Sequence, residues 1–117
     1  MRRLTVELGA RSYPIEIGSN VVNAERFAEI IPGRQVLLIT SESVAQLYLS
    51  QILPKLSMFE VEKIILPDGE QYKKLETLDL IYSAALHRKF SRNTTFIALG
   101  GGVVGDIAGF AAATYQR

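Results

Sequence analysis

The chain begins with alternating apolar and polar residues. This alternation covers residues 3–8 and Tyr13–Ile17, and it predicts two strands that pair as an antiparallel β-hairpin. Apolar residues at helical spacing follow, and Asn20 is the predicted N-cap of this short helix because its side chain can bond a free backbone amide. Pro32-Gly33 is expected to end the helix near Ile31.

From residue 36 onward, continuous apolar runs replace the alternation. The runs at 36–39 and 96–99 predict two strands, and a further strand is predicted at 61–66. The strand at 96–99 is expected to be buried on both faces between helical layers. Each of these three predicted strands is followed by apolar residues at helical spacing. The predicted apolar face of the first of these helices includes Leu47 and Tyr48, and that of the second includes Leu75 and Leu86.

Repeated strand and helix units joined by right-handed crossovers build a parallel sheet. The predicted fold class is therefore α/β, a Rossmann-like layered domain with a mostly parallel sheet and an N-terminal β-hairpin. No linker or low-complexity segment interrupts the chain, so residues 1–117 are expected to form one domain. Ligands of such domains bind at the carboxyl ends of the strands, where we expect the turns at 40–42, 68–73 and 100–106 to converge.

The third predicted strand runs directly into glycines. Gly100, Gly102 and Gly105 have the spacing G-x-G-x-x-G, which permits a tight turn, backbone approach to a phosphate and close helix packing. Free amides and the positive dipole end of the next helix favour a pyrophosphate. A P-loop is disfavoured, because no Lys-Ser or Lys-Thr pair follows the glycines. Alone, the motif is compatible with a dinucleotide site and with a flexible turn.

A second polar cluster, residues 68–74, follows the strand predicted at 61–66. Its carboxylates can accept hydrogen bonds from ribose hydroxyls, and its lysines can offset phosphate charge. Asp68 is expected to bond its own backbone, and Gly69 to take a positive φ. The alternative is a solvated turn that starts a helix, with Glu70 near the helix's positive end. These residues alone leave both interpretations open.

Composition narrows the functional classes. The net charge is +1 and the basic residues are scattered, so nucleic acid is not an expected partner. No apolar run approaches the roughly 20 residues that span a bilayer, and no signal-peptide pattern is visible, so we predict a cytoplasmic protein without a membrane partner. There is no cysteine for a disulfide or a zinc site, and His87, the only histidine, is expected to be a capping or surface residue.

Together, the two clusters resemble a known family. The segments Leu-Pro-Asp-Gly-Glu-Gln-Tyr-Lys at 66–73, Ala-Leu-Gly-Gly-Gly-Val-Val-Gly-Asp at 98–106, and 109–117 are similar to those of the 3-dehydroquinate synthases, which are sugar-phosphate cyclases. The resemblance implies a lyase of the shikimate pathway that converts 3-deoxy-D-arabino-heptulosonate 7-phosphate into 3-dehydroquinate and phosphate, using NAD and a divalent metal, zinc or cobalt. It implies transient oxidation by NAD, elimination of phosphate and an aldol ring closure.

The resemblance also implies roles for individual residues. The residues expected to contact NAD are Asp68, Gly69, Glu70, Gln71, Tyr72, Lys73, Gly101, Gly102, Val103, Val104, Gly105 and Asp106. Glu70 and Lys73 are the side chains expected on the adenosine side. The position after Thr40 is acidic in some relatives but is Ser41 here, so no ribose-binding role is carried over to it. Arg117 resembles an arginine that helps to hold the substrate phosphate across a dimer interface.

The family's metal ligands, a glutamate and two histidines, have no counterpart in this sequence. The resemblance implies that they lie, with a C-terminal helical domain, in the remainder of a longer chain that forms a homodimer. We therefore expect an N-terminal NAD-binding part that has no catalytic or metal-ligating residue and is inactive alone. The alternatives are another sugar-phosphate cyclase such as 2-deoxy-scyllo-inosose synthase, the iron-dependent alcohol dehydrogenase and glycerol dehydrogenase group, and a non-catalytic nucleotide-binding module.

Overall fold

The structure, a computed structural model, describes residues 2–115. The chain divides after Ile30 into two compact units, each with its own internal contacts. The role predicted for Arg117 lies outside the described residues. No helix within residues 2–115 combines the length and the apolar character needed to cross a membrane.

The first unit contains the predicted hairpin. Strands β1 (Arg2–Val6) and β2 (Tyr13–Ile17) pair antiparallel, with Leu4 opposite Ile15. The connection contains a 3₁₀ turn at Gly9–Arg11. Strand β1 ends earlier than predicted, because the chain turns after it. The period-two pattern therefore predicted both the elements and their pairing.

Helix α1 (Ala24–Ile30) completes this unit. The prediction that Asn20 caps the helix is wrong, since Asn20 lies in the left-handed region at φ 58° before the helix begins. Asn23 is the cap instead, and its Oδ1 accepts a hydrogen bond from the Arg26 amide at 2.9 Å. A capping side chain reaches the amide of the third helical residue only from the position directly before the helix, which is Asn23.

The second unit is built on a parallel sheet. Strands β3 (Gln35–Ser41), β4 (Glu60–Leu66) and β5 (Thr95–Leu99) lie in the order β4-β3-β5. All three carboxyl ends therefore lie at one edge. Because β5 follows β4 along the chain but pairs with the opposite side of β3, the connections run in opposite directions across the sheet. This arrangement produces the crevice in which open α/β sheets bind their ligands.

Helices cover the sheet on both faces. Helices α4 (Leu75–His87) and α5 (Gly102–Thr114) share one hydrophobic core with Leu37 and Ile39 of β3. Val36 and Leu38 alternate with them and are also completely buried, on the opposite face of the strand. The connection from β3 to β4 and the connection from β4 to β5 cross the sheet in opposite directions. Because both crossovers are right-handed, the helical segment at 42–56 lies on the face of the sheet opposite α4.

The strand buried on both faces is β3 and not β5. Residues 36–40 have no exposed surface, whereas Ala98 of β5 is exposed and the rest of β5 is half-buried. The prediction for residues 96–99 was therefore wrong. Within the described residues β5 has a strand neighbour on one side only, and an apolar run does not distinguish a central strand from an edge strand.

The helical segment after β3 departs from regular α-helix. It consists of α2 (Glu42–Val44), a π-helical turn at Ala45–Leu49, α3 (Ser50–Ile52) and a 3₁₀ turn at Leu53–Leu56. The wider π turn shifts the helical phase. Ile52 is buried, as predicted for the apolar face, but Leu47 and Tyr48, which were predicted on the same face, are exposed and Leu49 is buried instead.

The predicted apolar face of α4 extended too far toward both ends of the helix. Leu78, Ile81 and Ala85 are buried in the core, but Leu75 in the first turn is 74% exposed and Leu86 in the last turn is 53% exposed. The core covers only the middle of the helix, so a residue with the correct spacing at either end stays exposed.

Candidate functional site

Three turns meet at the carboxyl edge of the sheet and enclose a cavity of about 170 Å³. Ser41 contributes the end of β3, Asp68, Gly69 and Tyr72 contribute the turn after β4, and residues 101–104 contribute the turn after β5. The predicted convergence of these turns is confirmed. The cavity lies where β5 and β4 flank β3, which is the crevice expected from the strand order.

The turn after β5 lines this cavity with residues whose backbone amides begin a helix. Gly100 has φ 154°, a conformation that side chains rarely adopt, and it turns the chain out of the strand. Helix α5 then begins at Gly102, and its first intrahelical bond runs from the Gly105 amide to the Gly101 carbonyl at 3.0 Å. The preceding amides have no helical acceptor, and no described side chain caps them. They are available to an anionic ligand.

Glycine leaves the space beside these amides open. A Cβ built on Gly101 or Gly102 would meet no other atom within 4 Å. The same is true of Gly105, so the prediction that Gly105 permits close helix packing is wrong. The face of α5 that carries this glycine is exposed, and the sheet contacts the opposite face through Val104 and Ile107. Gly101, Gly102 and Gly105 therefore keep space free for something other than the described protein, whereas a Cβ at Gly100 would lie 3.1 Å from Val104.

The turn after β4 has the backbone that its sequence predicts. Gly69 has φ 117°, and a 3₁₀ turn at Glu70–Tyr72 follows, closed by a bond from the Lys73 amide to the Glu70 carbonyl at 3.0 Å. The hydroxyl of Thr77, a buried residue of α4, donates a hydrogen bond to the Tyr72 carbonyl. The turn is thus attached to the helix that follows it.

The prediction that Asp68 bonds its own backbone is wrong. Its Oδ1 accepts hydrogen bonds from the Ser43 hydroxyl at 2.9 Å and from the Ser43 amide at 3.3 Å. Strands β3 and β4 are parallel neighbours, so the turns after them lie side by side and Ser43 supplies both donors. This pair joins two walls of the cavity.

A lysine connects the turn after β4 with helix α5. Lys73 Nζ lies 2.7 Å from Asp106 Oδ2 and 3.9 Å from Glu70 Oε1. The hydrogen bond that the Lys73 ammonium donates to Asp106, together with the negative charge of that carboxylate, raises the pKa of Lys73 above its ordinary value. The ammonium group therefore stays charged at the rim of the site, and its half-exposed position keeps it accessible.

A second hollow adjoins the cavity. It is an open groove of about 460 Å³, lined by Leu75, Leu78 and Phe110, with Lys73 and Asp106 at its polar end. Ile107 lines both the groove and the cavity. A ligand larger than the cavity could therefore continue past Lys73 into the groove.

The predicted site residues separate into three groups. Asp68, Gly69, Tyr72, Gly101, Gly102, Val103 and Val104 line the cavity. Lys73 and Asp106 line the groove beside it. Glu70, Gln71 and Gly105 lie in the same two turns but line neither hollow. Glu70 is nevertheless joined through Lys73 to the helix that carries Gly102, so the two turns belong to one site.

Sequence reasoning missed two residues that organise the site. Ser43 holds Asp68, and Thr40, which is completely buried, donates a hydrogen bond from its hydroxyl to the Leu99 carbonyl at 2.7 Å. Thr40 directly follows the apolar run at 36–39, and Ser43 lies in the short helix that comes next. Their position as small polar residues just beyond a predicted strand is the signal that could have identified them.

Metal binding requires several side chains that lie close together. Among residues 2–115 no group of three or more histidine, aspartate or glutamate side chains is arranged to hold a metal ion. His87 is exposed at the end of α4, as predicted for a surface residue.

Comparison with known proteins agrees with this geometry. Residues 63–117, which carry both turns, match the family described as 3-dehydroquinate synthase N-terminal. A 3-dehydroquinate synthase of Pseudomonas aeruginosa (strain LESB58) is 57% identical over the whole chain, and one of Hydrogenovibrio crunogenus is 52% identical. Over its whole length this chain is therefore similar to part of these 3-dehydroquinate synthases. It spans 32% of the length of the first of these relatives and 33% of the second.

Solved structures show the same fold. Two crystal structures of 2-deoxy-scyllo-inosose synthase match 99% of this chain with a TM-score of 0.85 at 24% identity. The chain covers 34% of one and 33% of the other. The second of those proteins is complexed with carbaglucose-6-phosphate, NAD+ and Co2+. The Rossmann-like fold predicted for this chain is therefore confirmed.

Proposed function

We propose that this chain supplies the NAD site of a 3-dehydroquinate synthase. The single observation that supports the proposal is the cavity in which uncapped amides of α5 face an acidic turn across the end of β3. The sequence identity to 3-dehydroquinate synthases favours this activity over that of the inosose synthases, to which the chain is less similar. The whole enzyme would convert 3-deoxy-D-arabino-heptulosonate 7-phosphate into 3-dehydroquinate and phosphate.

The described residues fit a dinucleotide. The amides of Gly102 and Val103 would donate to the diphosphate, and their position at a helix N-terminus favours that negative charge. Asp68, fixed by Ser43, presents a carboxylate that can accept from a ribose hydroxyl. The cavity is smaller than the roughly 300–1,000 Å³ typical of a complete small-molecule site, so the rest of the ligand would extend into the groove beside Ile107.

Lys73 has a positioning and charge-balancing role in this proposal. Its bond to Asp106 holds the ammonium at the boundary between cavity and groove, where a diphosphate oxygen could share it. When bound, NAD would supply reversible hydride acceptance, which is the chemistry of the cofactor itself. The chain's contribution is to bind the diphosphate and riboses and to fix their orientation.

Calorimetric titration with NAD tests this proposal. We expect saturable binding of one NAD per chain, competition by ADP, and about tenfold weaker binding in Lys73→Met, because a charge-assisted hydrogen bond is lost. Lys63→Met is the matched control, since Lys63 is an exposed lysine of β4 outside both hollows. Absence of a binding isotherm at millimolar NAD, or equal weakening by the two variants, would contradict the proposal.

A further inference from the structure

We infer that Thr40 is a positioning residue for the dinucleotide site, acting through the peptide that joins Leu99 to Gly100. The inference rests on the proposed NAD site and extends it to a residue that contacts no part of the cavity. Thr40 is completely buried, and its hydroxyl bond to the Leu99 carbonyl spans 59 positions of sequence.

Thr40 lies at the point where β5 leaves the sheet. Thr40 and Leu99 are the last register pair between β3 and β5, whereas β3 continues to pair with β4 as far as Ser41 and Leu66. Beyond Leu99 the chain must therefore change direction without further support from the ladder. The Thr40 hydroxyl supplies a bond at that position.

The bond determines the orientation of the peptide that begins the glycine turn. A peptide unit is planar, so a carbonyl held in one direction also fixes the amide of the next residue. Here the next residue is Gly100, which has φ 154°. As a glycine it lacks the conformational restriction that a side chain would impose. Because glycine leaves the turn conformationally free, an external restraint is needed to hold its amides toward the cavity.

A hydroxyl is otherwise an unfavourable group at this depth. Burying a polar group costs free energy unless it is hydrogen-bonded. Valine has nearly the shape of threonine without the hydroxyl, and Val36 is completely buried in the same strand. Thr40 has the Leu99 carbonyl as its partner, and no described buried side chain has an unsatisfied polar atom. The hydroxyl is therefore explained by the bond that it makes.

The chain offers a matched control at the other end of the same two strands. Thr94 precedes β5, is 8% exposed, and bonds through its hydroxyl to Gln35 Oε1 at 3.1 Å. Gln35 begins β3, so this second threonine joins the same strands at the edge opposite the cavity. Thr94→Val removes a comparable bond without affecting the glycine turn.

The experiment measures NAD affinity and amide hydrogen exchange in the chain and its variants. We expect Thr40→Val to bind NAD about threefold to tenfold more weakly, as the loss of one hydrogen bond implies. Thr40→Ser, which keeps the hydroxyl, should restore most of the affinity, and Thr94→Val should bind as the unaltered chain does. The amides of Gly100 and Gly101 should exchange faster in Thr40→Val only.

Equal NAD affinity in Thr40→Val and Thr94→Val, with unchanged exchange at Gly100 and Gly101, would overturn the inference and leave Thr40 as a structural residue. If the unaltered chain binds no NAD, the proposed function fails, and the exchange measurement still decides whether Thr40 orders the turn. Should Thr40→Val not fold, Thr40→Cys retains a weak donor of similar size, and the same exchange comparison applies.

Discussion

Replacing Gly102 with alanine should separate folding from ligand binding. Gly102 begins α5, does not have a positive φ, and has no atom within 4 Å of the position of a Cβ. The methyl group therefore strains nothing in the described protein. Because alanine also restricts the unfolded chain, we expect the free energy of unfolding to rise by about 0.4–1 kcal/mol.

The effect on NAD binding should have the opposite sign. The new Cβ projects into the space through which a diphosphate would approach the helix amides. Loss of one hydrogen bond to a charged oxygen amounts to about 1.5–3 kcal/mol, which corresponds to roughly 10-fold to 150-fold weaker binding. Urea denaturation measures the first effect, and calorimetric titration with NAD measures the second.

Gly109→Ala is the control for this pair of measurements. Gly109 lies in the same helix with equally open surroundings, about 10 Å further along its axis. It should be at least as stable as the unaltered chain and should bind NAD equally well. A folded Gly102→Ala protein that binds NAD as tightly as Gly109→Ala would refute the idea that the open glycines hold a phosphate.

Three further predictions concern stability. Ile81 is completely buried in the main core, so Ile81→Ala should lower the free energy of unfolding by about 2–5 kcal/mol, measured by urea denaturation. The hydrogen bond from Arg26 lowers the pKa of Glu16 below 4.5, so the stabilisation it provides is present above pH 4.5 and is lost as the pH falls through the lowered value. Arg26→Gln should flatten this acid dependence, and an identical acid profile would contradict the assignment. Burial raises the pKa of Tyr115 above 10.0, so the phenol of the unfolded chain ionises first as the pH rises past 10.0 and the free energy of unfolding should fall. Tyr115→Phe should reduce that fall in alkaline denaturation.

Local patterns predicted the elements of this fold well. Period-two alternation identified the hairpin, apolar runs identified β3 and β5, and the turn sequence after residue 66 marked the end of β4, because these signals depend on neighbouring residues only. Such local patterns do not predict the order of the strands in the sheet. Residues 96–99 look like a central strand, but pairing on the far side of β3 leaves β5 at the edge of the described sheet.

The candidate site was predicted from its turns, and its supporting contacts were not. Gly69 and Gly100 indicated the turns because positive φ favours glycine, and both adopt it. The bonds from Ser43 to Asp68 and from Thr40 to Leu99 connect residues 25 and 59 positions apart. Such contacts depend on which strands become neighbours, so no local pattern reveals them.

Nuclear magnetic resonance of the chain with ¹⁵N-labelled glycine tests the central claim most directly. Of the nine glycines, Gly69, Gly101 and Gly102 line the cavity, while Gly33 precedes β3 at the opposite edge of the sheet. During titration with NAD the amide resonances of the three cavity glycines should shift together and saturate, and that of Gly33 should not move. Saturable binding that leaves Gly101 and Gly102 unshifted would contradict a dinucleotide site between the two turns.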